Sequence, residues 1–390
     1  MIGFAADGAA GPLVYLISGE PSGDILGERL MESLRQLTGG RVRFAGIGGE
    51  RMCGPDFESL FSMSELSHMG LAEIVPHLPA LLRRMGQTVR HVESLKPDVL
   101  VTLDAPGFNL RVAKRLRAKH IPLIHFVAPT VWAWKAWRAK EMAGYLDHLM
   151  TLLPFEPAYF EAVGLPATFV GHPVLESGAD KGGGPSFRDR HGIDPDAPLL
   201  CLLPGSRMGE VTRLLPVMTQ VVERLLTQIP ALKLAVGVGE GVAGLVTQAI
   251  RDWPGEVITA RDEREKFDCF AATDLALAAS GTVALELAMA GTPSITVYKM
   301  SPLTGWIAKR MVRVDHVNLV NILLDREAVP ELLLGDCRAE RITPIAAGLL
   351  GDPVAREAQG KSLGEAVKLL GVNDTPPSMA AGRLVLDLIK

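Results

Sequence analysis

At 390 residues the chain exceeds what one hydrophobic core usually supports, so two domains are expected, and a hydrophobic content of 48% allows both to be well packed. With 40 basic and 44 acidic residues the net charge is −4, which excludes a general attraction to nucleic acid or to an anionic membrane; any affinity for a phosphate has to be local. The four cysteines, Cys53, Cys201, Cys269 and Cys337, are far apart in sequence without metal-ligand spacing, which suits reduced thiols in a cytosolic protein and argues against a disulfide framework or a zinc site.

The start, MIGFAADGAAGPLVYLISGE, lacks a basic n-region and is interrupted by Asp7 and several glycines, unlike a cleaved signal peptide. No apolar stretch reaches the roughly 18 to 20 residues of a membrane span, so a soluble or peripheral protein is expected. Short runs of Val, Ile and Leu alternate with longer amphipathic segments, the pattern of parallel sheets covered by helices. Strands are predicted near 13–17, 42–47, 98–103, 121–127, 147–152 and 167–170, with long helices near 23–37, 79–95 and 109–119. Residues 62–86, SMSELSHMGLAEIVPHLPALLRRMG, carry Met69, Leu71, Ile74, Val75, Leu78, Leu81 and Leu82, with Arg83 and Arg84 at the end. They read either as a pair of helices packed on the sheet or as a lipid-facing surface, and Pro76 and Pro79 are expected to break any single long helix. The texture changes at 176–186, ESGADKGGGPS, a linker signal. Beyond it strands are predicted near 199–204, 232–238, 256–260, 274–280 and 294–299. The expected fold class is α/β, with two Rossmann-like, doubly wound domains over 11–175 and 176–350, closed by C-terminal helices over 351–390.

Sheets of this kind bind ligands beyond the carboxyl ends of their strands, which directs attention to the residues after each run. In SGEPSGD (18–24), Gly19 and Gly23 permit a tight turn, Ser22 is placed to cap a helix, and Glu20 requires donors or a sugar hydroxyl. DVLVTLDAPGFN ends a buried run on Asp104, which reads as a helix cap, a turn residue or an active-site acid. GIGG (46–49) is a second glycine-rich turn after a strand that does not itself extend into GxGxxG, which weakens a dinucleotide oxidoreductase reading. In LLPGSRMGEV, Gly205, Ser206 and Arg207 precede a helix starting near Met208. A cation there opposes the helix dipole, so it points to an anionic ligand, with a buried ion pair as the plain alternative. AASGTVALELA repeats the arrangement: Ser280, Gly281 and Thr282 open a helix, and Glu286 lies one turn on, suited to a phosphate and a ribose. No GKS or GKT follows either of these loops, which excludes a P-loop there. HFVAPTVWAWKAWR (125–138) holds three of the five tryptophans, as core or as a platform for a sugar or acyl chain.

Taken in order, SGEPSGD, MGLAEIVPHLP, PDVLVTLDAPGFN, APTVWAWKAWR, LPFEP, FVGHPV, LLPGSR, ASGTVALE and VNLVNILLDREAVPELL resemble the lipid-A-disaccharide synthases, membrane-associated glycosyltransferases of the GT-B fold. The resemblance runs from about residue 13 to about residue 335. It implies two Rossmann-like domains facing each other across a cleft, the first for acceptor and lipid, the second for the UDP-sugar. It implies transfer of 2,3-diacylglucosamine from UDP-2,3-diacylglucosamine to the 6-hydroxyl of 2,3-diacylglucosamine 1-phosphate, with inversion, for lipid A and lipopolysaccharide. Asp104 is then catalytic, Glu20 and Ser22 belong to the acceptor side, and Gly205, Ser206, Arg207, Ser280, Gly281, Thr282, Glu286 and Asn321 bind the nucleotide. Neither a metal nor a cofactor is implied, nor is nucleic acid a partner. A cytoplasmic protein peripheral to the inner membrane is expected, and a homodimer with exchanged C-terminal segments stands beside a simple return of the tail to the first domain. Two departures are visible: Gly107 replaces the second acid of the DAPDFN found in many relatives, and Val320 replaces the proline of PNIL. The rival readings are a UDP-sugar 2-epimerase, which would need no lipid-facing segment, and a non-enzymatic nucleotide-sugar or lipid binder, indifferent to Asp104.

Overall fold

The computed structural model describes residues 11–67, 74–300, 315–372 and 375–389. The chain divides into two compact units, one running to Pro173 and resuming at Gly371, the other spanning Val174–Leu370.

The first unit carries a six-stranded parallel sheet in the order β2-β1-β3-β4-β5-β6: β1 Leu13–Ser18, β2 Arg43–Ile47, β3 Val99–Leu103, β4 Leu123–Phe126, β5 His148–Thr151 and β6 Ala167–Phe169. Successive strand residues point to opposite faces, and here both faces are covered, which is why the runs are uniformly apolar rather than alternating. Val14, Leu16, Val99 and Val101 pack with Leu26, Leu30 and Leu34 of the helix Pro21–Thr38. Tyr15, Ile17 and Leu100 pack on the other side with Leu81, Met85 and Val92 of the helix Ile74–Leu95. That helix contains Pro79 and is not broken there, contrary to expectation. The proline lies in the second turn, so its missing N–H costs a single hydrogen bond close to the helix start, and the about four turns beyond it keep their ladder.

The second unit repeats the plan in the order β12-β11-β10-β7-β8-β9: β7 Leu199–Leu203, β8 Lys233–Gly237, β9 Val257–Ala260, β10 Leu275–Ala279, β11 Ser294–Tyr298 and β12 Glu331–Leu333. Leu200, Leu202, Leu234 and Leu277 meet the apolar side of the helix Met208–Gln228, while Cys201, Ala235 and Ala276 meet Phe267 and Phe270 of the helix Glu263–Ala272. Cys201 and Cys269, distant in sequence, are free thiols with Sγ atoms 3.8 Å apart. The hydrogen bond shared with the Cys269 sulfur, together with burial, keeps the Cys201 thiol protonated and pushes its pKa well above the ordinary value.

The C-terminal helices do not act as one piece, a correction to the boundary expected at 350. The helix Pro353–Lys368 stays with the second unit, where Gln359 accepts from Ser294 N (2.7 Å) and donates to Ser294 O and Ala328 O (both 3.1 Å). Only the helix Pro377–Leu388 lies on the first unit, burying Ala381 and Val385 beside the helix Pro21–Thr38. Gly382 permits that approach: a Cβ there would stand 3.0 Å from Leu37 Cδ1. No helix among the described residues is long and apolar enough to cross a membrane.

Candidate active site

In the first unit β1 and β3 lie side by side, with Ser18 opposite Leu103, and each runs directly into a helix that begins with proline, Pro21 and Pro106. Between β3 and its helix, Asp104 and Ala105 both take left-handed backbone conformations, φ 50° and 41°. Such conformations are costly for most residues and least so for Asp and Asn. The bend is held from three directions. Asp104 N donates to Phe126 O (2.9 Å), and Asn109 Nδ2 donates to the carbonyls of Leu103 and Asp104 (2.8 Å each) and, more weakly, of Ile17 (3.2 Å).

Asp104 caps nothing, for the helix N-cap is Ala105. Its half-buried carboxylate accepts a hydrogen bond from Ser22 Oγ at 2.6 Å through Oδ2, while Oδ1 has no partner among the described residues. Ser22 is therefore not the cap expected of it. The helix N-cap is Glu20, exposed and without a capping hydrogen bond of its side chain, and the Ser22 hydroxyl turns to the acid. The last acid of SGEPSGD, Asp24, is structural: its carboxylate gathers the backbone N–H groups of Gly49, Arg51 and Met52 (2.7, 3.0 and 3.3 Å) and so fixes the GIGG turn. Behind Asp104, Thr102 pairs with His125 across β3 and β4, Oγ1 to Nδ1 at 2.8 Å. Burial pushes the His125 pKa down to about 4 against the opposing pull of the Asp104 charge, so the ring is neutral near pH 7. Val127, closing β4, has φ 86°, a strained value for a β-branched residue at this same sheet edge. Gly107 is exposed, and a side chain there would meet open space, so the acid usual at this position is not excluded by crowding.

The aromatic loop resolves into two parts. Trp132 is half-buried, edge-on to Phe155, whereas Trp134 and Trp137 are 43% and 63% exposed, with Lys135 Nζ 4.2 Å from the Trp134 ring centroid. Residues 62–86 are mixed as well. Leu81 and Met85 are core, Leu78 and Leu82 are 41% and 46% exposed, and Arg84 pairs with Glu65 and lies over Phe61. Met69 and Leu71 lie outside the described residues.

In the second unit β7 ends at Pro204-Gly205-Ser206-Arg207, and Arg207 is the N-cap residue of the helix Met208–Gln228. Gly205 has φ 103°, a conformation that favours glycine, and a Cβ there would displace the Glu210 carboxylate, whose Oε2 lies 2.2 Å from its position. Burial raises the Glu210 pKa and the Arg207 charge opposes it. Arg207 is exposed and makes no ion pair with the described residues, which removes the buried-pair alternative. After β10, Ser280, Gly281 and Thr282 lead into the helix Val283–Met289, with Gly281 and Thr282 exposed. Glu286 is held by Lys266 Nζ, 3.0 Å from each carboxylate oxygen.

Asn321 requires a correction. It is fully buried, its Nδ2 donates to Val329 O (2.8 Å) and Glu331 Oε1 (2.7 Å), and its Oδ1 accepts from Ala328 N and Val329 N (2.8 Å each). A side-chain amide has two donors and two acceptor positions, so nothing is left for a nucleotide.

A sequence model of the family described as Lipid-A-disaccharide synthetase matches residues 14–363. The chain belongs to the lipid-A-disaccharide synthase family. The lipid-A-disaccharide synthase of Rhodospirillum centenum is 52% identical over 97% of this chain and 94% of its own, and that of Paramagnetospirillum magneticum is 47% identical over 97% and 98%. Two solved structures share the fold at low identity. A putative UDP-N-acetylglucosamine 2-epimerase from Listeria monocytogenes has a TM-score of 0.62 at 13% identity, covering 96% of this chain and 95% of its own. MurG of Acinetobacter baumannii has a TM-score of 0.54 at 14% identity, covering 97% and 99%. The lipid-A-disaccharide synthase fold here is thus α/β of the GT-B type, with two Rossmann-like units.

For a lipid-A-disaccharide synthase, sequence reasoning singles out Asp104 but not the residues that hold it. Asn109 sits in the quoted motif, and its repeated use as a donor to strand-end carbonyls appears only once β1 and β3 are adjacent. Lys266, which fixes Glu286, lies in the charged stretch DEREKF, indistinguishable from a solvated helix face.

Proposed function

We propose that the chain transfers 2,3-diacylglucosamine from its UDP derivative to the 6-hydroxyl of 2,3-diacylglucosamine 1-phosphate, forming the β-1,6 lipid A disaccharide 1-phosphate and UDP with inversion. The observation that carries this is Asp104: in a member of this family, a carboxylate stands at a strand's carboxyl end on a bend fixed by Phe126 and Asn109, with one oxygen oriented by Ser22 and the other without a partner among the described residues. Asp104 accepts the proton of the acceptor hydroxyl as that oxygen bonds to the anomeric carbon and the bond from that carbon to the diphosphate breaks. Glu20, the N-cap of the helix that carries Ser22 in its first turn, lies on the acceptor side. Arg207, with the backbone N–H groups near Gly205, Ser206, Ser280, Gly281 and Thr282, stabilises the charge growing on the departing UDP, and Glu286 accepts from the ribose hydroxyls while Lys266 keeps it in place. Mass spectrometry of an incubation with synthetic donor and acceptor tests the reaction; no disaccharide would sink it.

Arg207→Ala is expected to weaken UDP binding by about tenfold to a hundredfold, the loss of a charge-assisted contact to phosphate. Titration calorimetry with UDP reads this, and unchanged affinity would remove Arg207 from the nucleotide site.

The protein acts at the inner-membrane surface, where the exposed Leu78 and Leu82 and the nearby Arg83 suit an interfacial contact. Replacing Leu78 and Leu82 with serine should reduce sedimentation with anionic vesicles without lowering stability, since both are already exposed. Leu81 is unsuited to this test because it belongs to the core. Equal sedimentation of variant and wild type would discard the contact.

A further inference from the structure

Glu156 follows β5 in the stretch LPFEP and is only 3% exposed. Its carboxylate collects three uncharged donors: Leu152 N and Leu153 N at Oε2 (3.1 and 3.0 Å) and Trp132 Nε1 at Oε1 (3.2 Å). Among the described residues these are all the groups that hydrogen-bond to it, and no charged side chain pairs with it. Burial pushes its pKa up to about 7, with the three donors pulling the other way. Trp132 belongs to the loop that leaves β4 just after Phe126, the residue whose carbonyl takes the Asp104 N–H. A buried carboxylate thus ties the strand-end loop of β5 to a loop that starts beside Asp104 and exposes two indoles and an ammonium, Trp134, Trp137 and Lys135.

We propose that Glu156 is a positioning residue which, through Trp132, holds this loop so that Trp134, Trp137 and Lys135 form a subsite for the anionic glycolipid acceptor. The proposal rests on the synthase reading above. Indole faces suit the apolar side of a sugar ring and the first carbons of an acyl chain, and the ammonium suits a phosphate; the acceptor carries all three. A neutral ligand would leave Lys135 without a counter-charge.

The decisive variant is Trp132→Phe, which keeps an aromatic ring beside Phe155 and deletes the indole N–H. It should raise the acceptor KM by about tenfold, the loss of one hydrogen bond to a charged group, with kcat and the donor KM within about twofold of wild type. Glu156→Gln has one oxygen and one amino group for two sets of donors, so it can satisfy the indole or the backbone pair but not both. Tryptophan emission and acceptor KM of the wild type should titrate together with a midpoint near 7, KM rising as the pH falls, and Glu156→Gln should abolish the titration. Trp134→Ala combined with Trp137→Ala should also raise the acceptor KM by about tenfold or more. An unchanged acceptor KM in Trp132→Phe, or in the double variant, overturns the subsite, and so does wild-type emission that stays flat through neutral pH. If the wild type forms no disaccharide, the synthase reading itself has failed, while the emission titration still reports the Glu156–Trp132 contact. Should Glu156→Gln not fold, Trp132→Phe decides alone.

Discussion

Asp104→Asn is expected to lower kcat by about 10² to 10⁴, the usual contribution of a positioned general base, with UDP affinity and thermal stability near those of the wild type. Stability should survive because of where the residue sits. Asparagine shares with aspartate a tolerance for the left-handed backbone found at φ 50°, and the backbone anchors to Phe126 and Asn109 do not involve the side chain. The Ser22 hydroxyl can donate to the amide oxygen as it does to Oδ2. Only the capacity to take a proton is lost. A single-turnover assay with both substrates bound separates this step from product release. Ser22→Ala, which removes the orienting bond and leaves the base, should show a smaller decrease. Near-normal turnover of Asp104→Asn would give the proton to another group and leave Asp104 a turn residue.

Much of this arrangement is legible in the sequence because the physics behind it is local. Runs such as VYLI and LLCLL are apolar throughout, since both faces of each sheet are covered, and the loops after them carry the Gly, Ser and Pro residues that tight strand-to-helix turns demand. What escapes is whatever depends on contacts between distant segments. β12, three residues at the sheet edge, is too short to show a period and exists because Glu331–Leu333 pairs with Thr296–Tyr298. The nearness of Cys201 and Cys269 follows from a helix crossing β7, which no spacing announces. Glu156 sits in a recognisable stretch, yet its burial and its hold on Trp132 need two loops that meet only in the fold. Motif reasoning fails outright at Asn321. A polar residue inside a family motif reads equally well as a ligand contact or as a saturated structural amide, and only its four partners distinguish the two.

That distinction yields the second large effect: Asn321→Ala should destabilise the second unit by on the order of 3 kcal/mol or more rather than act on nucleotide binding selectively. The deletion leaves Ala328 N and Val329 N without their acceptor and removes from Glu331 Oε1 one of the donors that justify its burial. Glu331 keeps Val317 N and Asn318 N, but its strand β12 loses the tie to the helix Leu319–Leu324. Asn321→Asp should be no milder, because it turns the donor that faces Val329 O and Glu331 into an acceptor or places a second charge beside that carboxylate. For a unit of this size the expected loss corresponds to a fall of about 6–12 °C in Tm. UDP titrated well below the transition should then bind Asn321→Ala nearly as it binds wild type. A variant with wild-type Tm and lost UDP affinity would reverse the assignment, for it would require the buried amide to leave its four partners and face the nucleotide.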